Sequence, residues 1–416
     1  MKQALCALAA ALIFTTSCAT APVEINPPKT GERSINTAPL TKETAVNNKG
    51  MIGYIPDTAT PIKVGILLPL SGDSAAVGNA MLDAATLALN DEYMSVPSSL
   101  IRSQIILIPK DTGNSANSAA AAAKEAIDGG ATFIVGPLFS QAVNAMKPLI
   151  KQTGVPVISF SNNKVVAEPG IYTFGYLPEQ QVARIAEYAY LLNYQRAALL
   201  APNEAYGQKV RDELSSIYSK KGGLISPAEL YAPSQANIDA AVARLMAAYN
   251  NTSEDRKFQA LFIADSGYNL KNIISALKRN NLDFSKVKLF GTGLWDDPDI
   301  AHITELHGTW FPGAPAEPFK NFEKRFFAAY GYKPTRLTSL SYDVISLLAK
   351  LSINSPANRI DASLIPNKEG FIGPANGLYR LMNDGSSERR LSIMEVTPAG
   401  FKVAEPSLKS FSEPGR

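Results

Sequence analysis

One rhythm constrains this chain more than anything else. From residue 62 onward, short apolar runs alternate with stretches of helical period, at a spacing of roughly 25–30 residues. Residues 62–68 (IKVGILL) are a near-continuous apolar run, the pattern of a strand buried on both faces of a parallel sheet. Pro69-Leu70-Ser71-Gly72 breaks the run, and a helical pattern follows over 78–89. The cycle recurs with strands at 105–108, 132–135, 156–160 and 172–174. After a helix over 179–192 it starts again, with strands at 197–201, 229–231, 260–264 and 288–290. Parallel strands cannot be joined by hairpins, so each pair needs a crossover, here a helix. The chain therefore reads as α/β, with two Rossmann-like lobes built on parallel doubly wound sheets.

Later residues complete the lobes. Trp310-Phe311-Pro312 reads as a crossing segment, followed by amphipathic helices over 319–330 and 340–351. Residues 378–381 and 391–396 alternate in polarity around Asn383-Asp384-Gly385, which predicts a late antiparallel hairpin. The expected division is lobe I over 61–178 with about 311–350, lobe II over 179–310 with about 351–403, and a tail over 404–416 that reads as frayed after Pro406.

The N-terminal segment predicts export. Lys2 precedes an apolar stretch too short for a permanent span, so residues 1–17 read as a signal peptide. Ser17-Cys18 resembles a bacterial lipobox, which implies lipidation at Cys18, and Ala19 beside it suits the outer membrane. Residues 18–60 are rich in Pro, Lys, Thr and Asn and read as a disordered tether, which places the body in the periplasm on a lipid anchor.

Composition narrows the chemistry. With 40 basic and 37 acidic residues the net charge is +3, and no basic cluster points to nucleic acid. The two cysteines, Cys6 and Cys18, both precede the body, so a disulfide or a thiolate metal site there is excluded. His302 and His307 are five apart, the wrong spacing for paired helical ligands. Asp296-Asp297-Pro298-Asp299 lacks the Gly and Glu of a calcium loop and reads as a helix cap. No nucleophile elbow, phosphate loop or complete dinucleotide fingerprint occurs. The expectation is a protein that is not an enzyme and holds no cofactor or metal.

In doubly wound sheets, ligands sit beyond the carboxyl ends of the strands. Those ends carry Ser71, Gly72, Asp111, Gly136, Ser161 and Asn162, which are small or polar. Over about 63–403 the chain resembles the type I periplasmic binding proteins of the leucine/branched-chain amino-acid-binding group. The resemblance rests on 64–72 (VGILLPLSG) with Gly78, on Gly136-Pro137, 155–158 (VPVI), Ala205-Tyr206-Gly207 and Ser341-Tyr342-Asp343. Within that superfamily, 67–72 (LLPLSG), 134–139 (IVGPLF) and 291–298 (GTGLWDDP) are similar to the penicillin-binding-protein activator lipoproteins.

The first resemblance implies a ligand's α-carboxylate held by Ser71, Ser161 and Asn162, and its α-amino group met by Tyr206 and Asp265. Tyr176 and Trp295 either form an aromatic wall of the cleft or pack between the lobes. Residues 172–181 (YTFGYLPEQQ) depart from the transport members, which commonly carry Arg-Thr and a downstream Asp there. The activator likeness implies docking on a peptidoglycan synthase, a penicillin-binding protein. The alternative is the solute-binding component of an ABC importer, working with its permease on an amino acid or similar small polar ligand.

Overall fold

A computed structural model describes residues 60–353, 355 and 359–412. The expected signal peptide, Cys18 and the tether up to residue 59 lie outside the described residues.

The first lobe begins with β1 (Thr60–Leu68), α1 (Ala75–Met94), β2 (Ser103–Asp111), α2 (Ala116–Asp128), β3 (Phe133–Val135), α3 (Ser140–Thr153), β4 (Val157–Ser159) and β5 (Ile171–Thr173). Its five strands are all parallel, in the order β2-β1-β3-β4-β5. Side chains alternate across the sheet. Val64, Ile66 and Leu68 face one apolar cluster with α1, while Leu67, Ile134 and Val157 face another with α2 and α3. Burial on both faces is why the strands lack a polar stripe.

The second lobe follows with α4 (Pro178–Leu191), β6 (Arg196–Pro202), α5 (Ala205–Lys221), β7 (Leu224–Tyr231), α6 (Gln235–Asn250), β8 (Ala260–Ile263), α7 (Gly267–Arg279), β9 (Lys288–Gly291) and β10 (Trp310–Gly313). The chain then returns to the first lobe's core with α8 (Ala316–Tyr330) and α9 (Thr338–Ile353), where Phe322, Phe326, Leu340 and Leu348 pack with α1. The last strands are β11 (Phe371–Gly373), β12 (Gly377–Leu381), β13 (Ser387–Arg389), β14 (Ser392–Thr397) and β15 (Gly400–Glu405). The second sheet has the order β15-β14-β10-β9-β8-β6-β7, with β14 and β15 antiparallel to their neighbours. It too is sandwiched between two apolar clusters.

Three readings of the sequence differ from this architecture. Trp310-Phe311-Pro312 is not a crossing but a strand of the second sheet, with Phe311 opposite Met394. The crossing comes just after it, between β10 and α8.

The expected hairpin of 378–381 with 391–396 does not form. The Asn383-Asp384-Gly385 turn is present, with Gly385 at φ 83° and Asp384 accepting from the Ser386 backbone. However, it closes β12 on β13, in a small sheet β11-β12-β13, and β14 pairs with β10 in the other lobe. The strand after the turn lasts only three residues before the chain changes lobes at Arg390-Leu391. Tyr379 and Leu381 therefore join the first lobe's core, as do Ile360 and Ile365, which the sequence reading assigned to the second.

Residues after 406 are not frayed as far as Ser412. Phe411 packs against the guanidinium groups of Arg380 and Arg390.

The chain thus passes between lobes three times, at 174–177, 314–315 and 390–391. All described residues fall within one compact unit.

Candidate functional site

Each lobe presents a polar cluster where its strands end. In the first lobe, β1 and β2 stop side by side, with Leu68 in register with Asp111. The Asp111 carboxylate accepts from the Leu70 and Gly113 amides at 2.8 Å each. Burial pulls that carboxyl upward, but hydrogen bonds from Ser71, Gly113 and Leu70 outweigh it and hold it below the usual range. Ser71 is thus spent on shaping the turn. Gly72 sits at φ 73°, and a Cβ there would also collide with the Asn114 side chain. Past β4, the buried Ser161 hydroxyl accepts from the Asn163 amide at 3.2 Å, while Asn162 is exposed.

In the second lobe, the Asp265 carboxylate just past β8 accepts from the Tyr231 hydroxyl (2.7 Å), the Ser266 amide (2.8 Å) and the Asn269 amide group (3.2 Å). The Tyr206 hydroxyl donates to Thr292 at 2.8 Å. Burial pushes Tyr206 up to about 12, so its hydroxyl stays neutral. Burial also raises Tyr231, and the Asp265 partner raises it further.

Trp295 is not a cleft wall. It is 0% exposed, packs in the second lobe's core, and donates its indole N–H to the Asp265 carbonyl at 3.1 Å. It supports Asp265 from below. The reason is local: Gly291 has no side chain, and the indole occupies the space a Cβ would take. Tyr176 packs against the first lobe's core, and its hydroxyl donates to Asn376 at 2.5 Å. It is a residue of the lobe junction.

Loops of the two lobes touch through charge. Asp296, beyond β9, pairs with Arg336, ahead of α9, at 2.7 Å, and the guanidinium lies 3.9 Å from the Phe319 ring centroid. Glu179, at the start of α4, is 2.5 Å from Lys209 of the second lobe and 3.7 Å from Lys164 of the first. Asp297 instead accepts from the Asp299 amide at 3.0 Å, the capping role expected of that acidic run.

Behind Tyr176 lies a buried polar junction. Asp343 is 0% exposed and accepts from the Ala375 amide and the Asn376 side chain, both at 2.8 Å. Arg389 donates to the Phe174 carbonyl at 2.7 Å, with its guanidinium over the Phe174 and Tyr176 rings. Burial pushes Asp343 up to about 6, against the pull of the Ala375 amide and of Arg389. An acid that is weaker in the folded state than its usual 3.8 stabilises the fold at low pH, and that stabilisation is lost as pH rises through about 6. The expected size is on the order of 3 kcal/mol. Thermal melts of wild type and Asp343→Asn between pH 4 and 7 should show the wild type losing ground to the variant as pH rises. Parallel curves would refute it.

The sequence reading missed Tyr231, Asn269, Thr292, Asp296 and Arg336 as partners. Asn269 could have been found, because it stands only four residues after Asp265, in the first turn of the helix that follows it. Nothing in the sequence links Asp296 with Arg336.

The sequence model of the periplasmic binding protein family matches residues 61–352, more than two thirds of the chain. This chain belongs to the periplasmic binding protein family. The periplasmic binding protein is 26% identical, over 356 residues, to an uncharacterized protein of Rickettsia prowazekii (strain Madrid E), covering 84% of this chain and 90% of that one.

Among solved structures it resembles a branched-chain amino acid ABC transporter periplasmic ligand-binding protein from Burkholderia xenovorans LB400, with TM-score 0.69 and 17% identity over 85% and 97% of the two chains. It also resembles the branched-chain amino acid transporter substrate binding protein LivJ from Streptococcus pneumoniae, in complex with isoleucine, with TM-score 0.61 and 18% identity over 83% and 100%. A third likeness is to a solute binding protein of an ABC transporter from Rhodopseudomonas palustris BisB5, in complex with 3,4-dihydroxybenzoic acid, with TM-score 0.60 and 20% identity over 83% and 98%. At these identities the likeness establishes the type I fold. Among the described residues, no helix is long and apolar enough to cross a membrane.

Proposed function

We propose that this periplasmic binding protein is a non-catalytic solute-binding component of an ABC importer, taking an amino acid or a similar small polar acid between its lobes. One observation carries the reading: the carboxyl edges of two separately cored sheets bear complementary polar groups, and loops from both edges already meet through Asp296–Arg336 and Lys164–Glu179. Exposed Asn162 and the backbone around Ser161 suit a carboxylate. Asp265, held rigid by Tyr231, Asn269 and Trp295, suits an ammonium.

A thermal-shift screen against amino acids and small organic acids tests this. A true ligand at a hundredfold excess over its Kd should stabilise the protein by about 2.7 kcal/mol, and Asp265→Asn should abolish the response to amines. A screen with no hit, in a protein whose melt is cooperative, would remove the importer reading.

A second reading is the docking protein of a peptidoglycan synthase, attached to the outer membrane through Cys18. It is favoured by the engagement of Ser71, Tyr206 and Asp265 with neighbours in the same lobe, which leaves fewer free groups for a solute. Capture of a penicillin-binding protein by the immobilised body, with no response in the ligand screen, would favour it over import.

A further inference from the structure

We propose that residues 406–412 form a releasable strap that restrains the two lobes against each other, a fourth link beside the three covalent crossings. The tail leaves the second lobe at the end of β15, where Glu405 pairs with Arg184 of α4 at 3.2 Å. The Ser407 amide then donates to the Ser392 hydroxyl at 3.0 Å, so the tail still follows the second sheet.

Four residues later it is docked on the first lobe. The Phe411 ring lies 4.3 Å from the Arg380 guanidinium and 4.7 Å from that of Arg390. Arg390 donates to the Phe411 carbonyl at 3.3 Å, and Ser412 to Glu369 at 3.2 Å. The ring also covers Gly370, where a Cβ would press on it. Arg380 stands on β12, whose Tyr379 and Leu381 are anchored in the first lobe's core. The tail therefore begins in one lobe and ends in the other.

Its fastening is of the kind that can let go. After Glu405 it is part of no strand, and its main anchor is a half-buried ring held by two cations, not a core contact. It also stands off the surface. A cavity of about 330 Å³ lies beneath it, lined by Gln180, Arg184 and Glu187 of α4, by Arg389 and Leu391 at the third crossing, and by Phe411. A rotation that separates Ser392 of the second sheet from Arg380 of the first lobe stretches this segment or pulls Phe411 from its cradle. The inference does not depend on what the cleft binds.

The test is a distance measurement between the lobes of the full chain with Cys6→Ser and Cys18→Ser, which removes both native thiols. Val165 and Tyr268, 74% and 75% exposed on opposite lobes, are replaced by Cys and spin-labelled. Phe411→Ala should broaden the distance distribution and shift it to longer distances, while Phe411→Trp keeps the parent's narrow one. Far-UV circular dichroism checks that each variant is folded, and Phe411→Leu supplies a milder loss of the ring if the alanine variant is not. Distributions for Phe411→Ala or Phe411→Leu that superimpose on the parent would overturn the strap. So would equal broadening by Phe411→Trp.

Discussion

Gly207→Val should destabilise the second lobe by about 3 kcal/mol, seen as a lower midpoint in chemical denaturation. Gly207 lies in the first turn of α5, and a Cβ there would overlap the carbonyl oxygen of Pro202 at the end of β6. That atom is backbone, so relief requires moving the helix or the strand, and both are packed on the same core through Val210, Leu199 and Ala201. The first lobe repeats the arrangement, with Gly78 of α1 against the Pro69 carbonyl just past β1. Gly78→Val should therefore behave alike. Gly154→Ala is the control: no atom lies within 4 Å of its would-be Cβ, and only the left-handed backbone at φ 68° resists. It should cost about 1–2 kcal/mol. Equal losses at 154 and 207 would refute the close-approach explanation.

Trp295→Ala should cost about 3–5 kcal/mol, the usual range for removing a fully buried large aromatic side chain. Its effect should reach the cleft edge as well. The indole N–H holds the Asp265 carbonyl, and the Asp265 carboxylate in turn holds Tyr231 and Asn269. With the indole gone, Asp265 loses its floor. Any solute recognised through that carboxylate should then bind at least tenfold more weakly, a loss of about 1.4 kcal/mol. Calorimetric melting reads the first effect and titration of a hit from the ligand screen reads the second. A stable variant with unchanged affinity would show that Trp295 neither fills the core nor supports the site. Trp295→Phe, which keeps most of the volume but loses the N–H, separates packing from the hydrogen bond.

Much of the fold could be read from the chain because the signals were local and repeated. Residues 62–68 had to be a strand buried on both faces, since Val64 and Leu67 sit on opposite sides of the sheet and both are apolar. The ends of β1, β4 and β8 were legible for the same reason: the apolar runs stop at small or polar residues. Candidates chosen there (Ser71, Ser161 and Asp265) do lie at strand ends. What each does was not legible. Ser71 serves Asp111, forty positions away, and Asp265 is served by Tyr231 and Trp295, which only the sheet order β9-β8-β6-β7 brings near it.

The late strands show the boundary most plainly. Alternation in 378–381 and 391–396 marks both as strands but carries no information about partners, because period two is satisfied by any neighbouring strand. The apolar demands of two separate cores decide it, sending β12 to the first lobe and β14 to the second. For this protein, sequence alone determined the alternation of strands and helices in the two doubly wound sheets and their parallel wiring, since these follow from periodicity and residue type. Only the tertiary structure decided that Trp295 is a support and not a wall, that Arg336 meets Asp296, and that Phe411 lies against Arg380 and Arg390. Those are long-range pairings, and side chains far apart in the chain leave no local trace of the surfaces they will share.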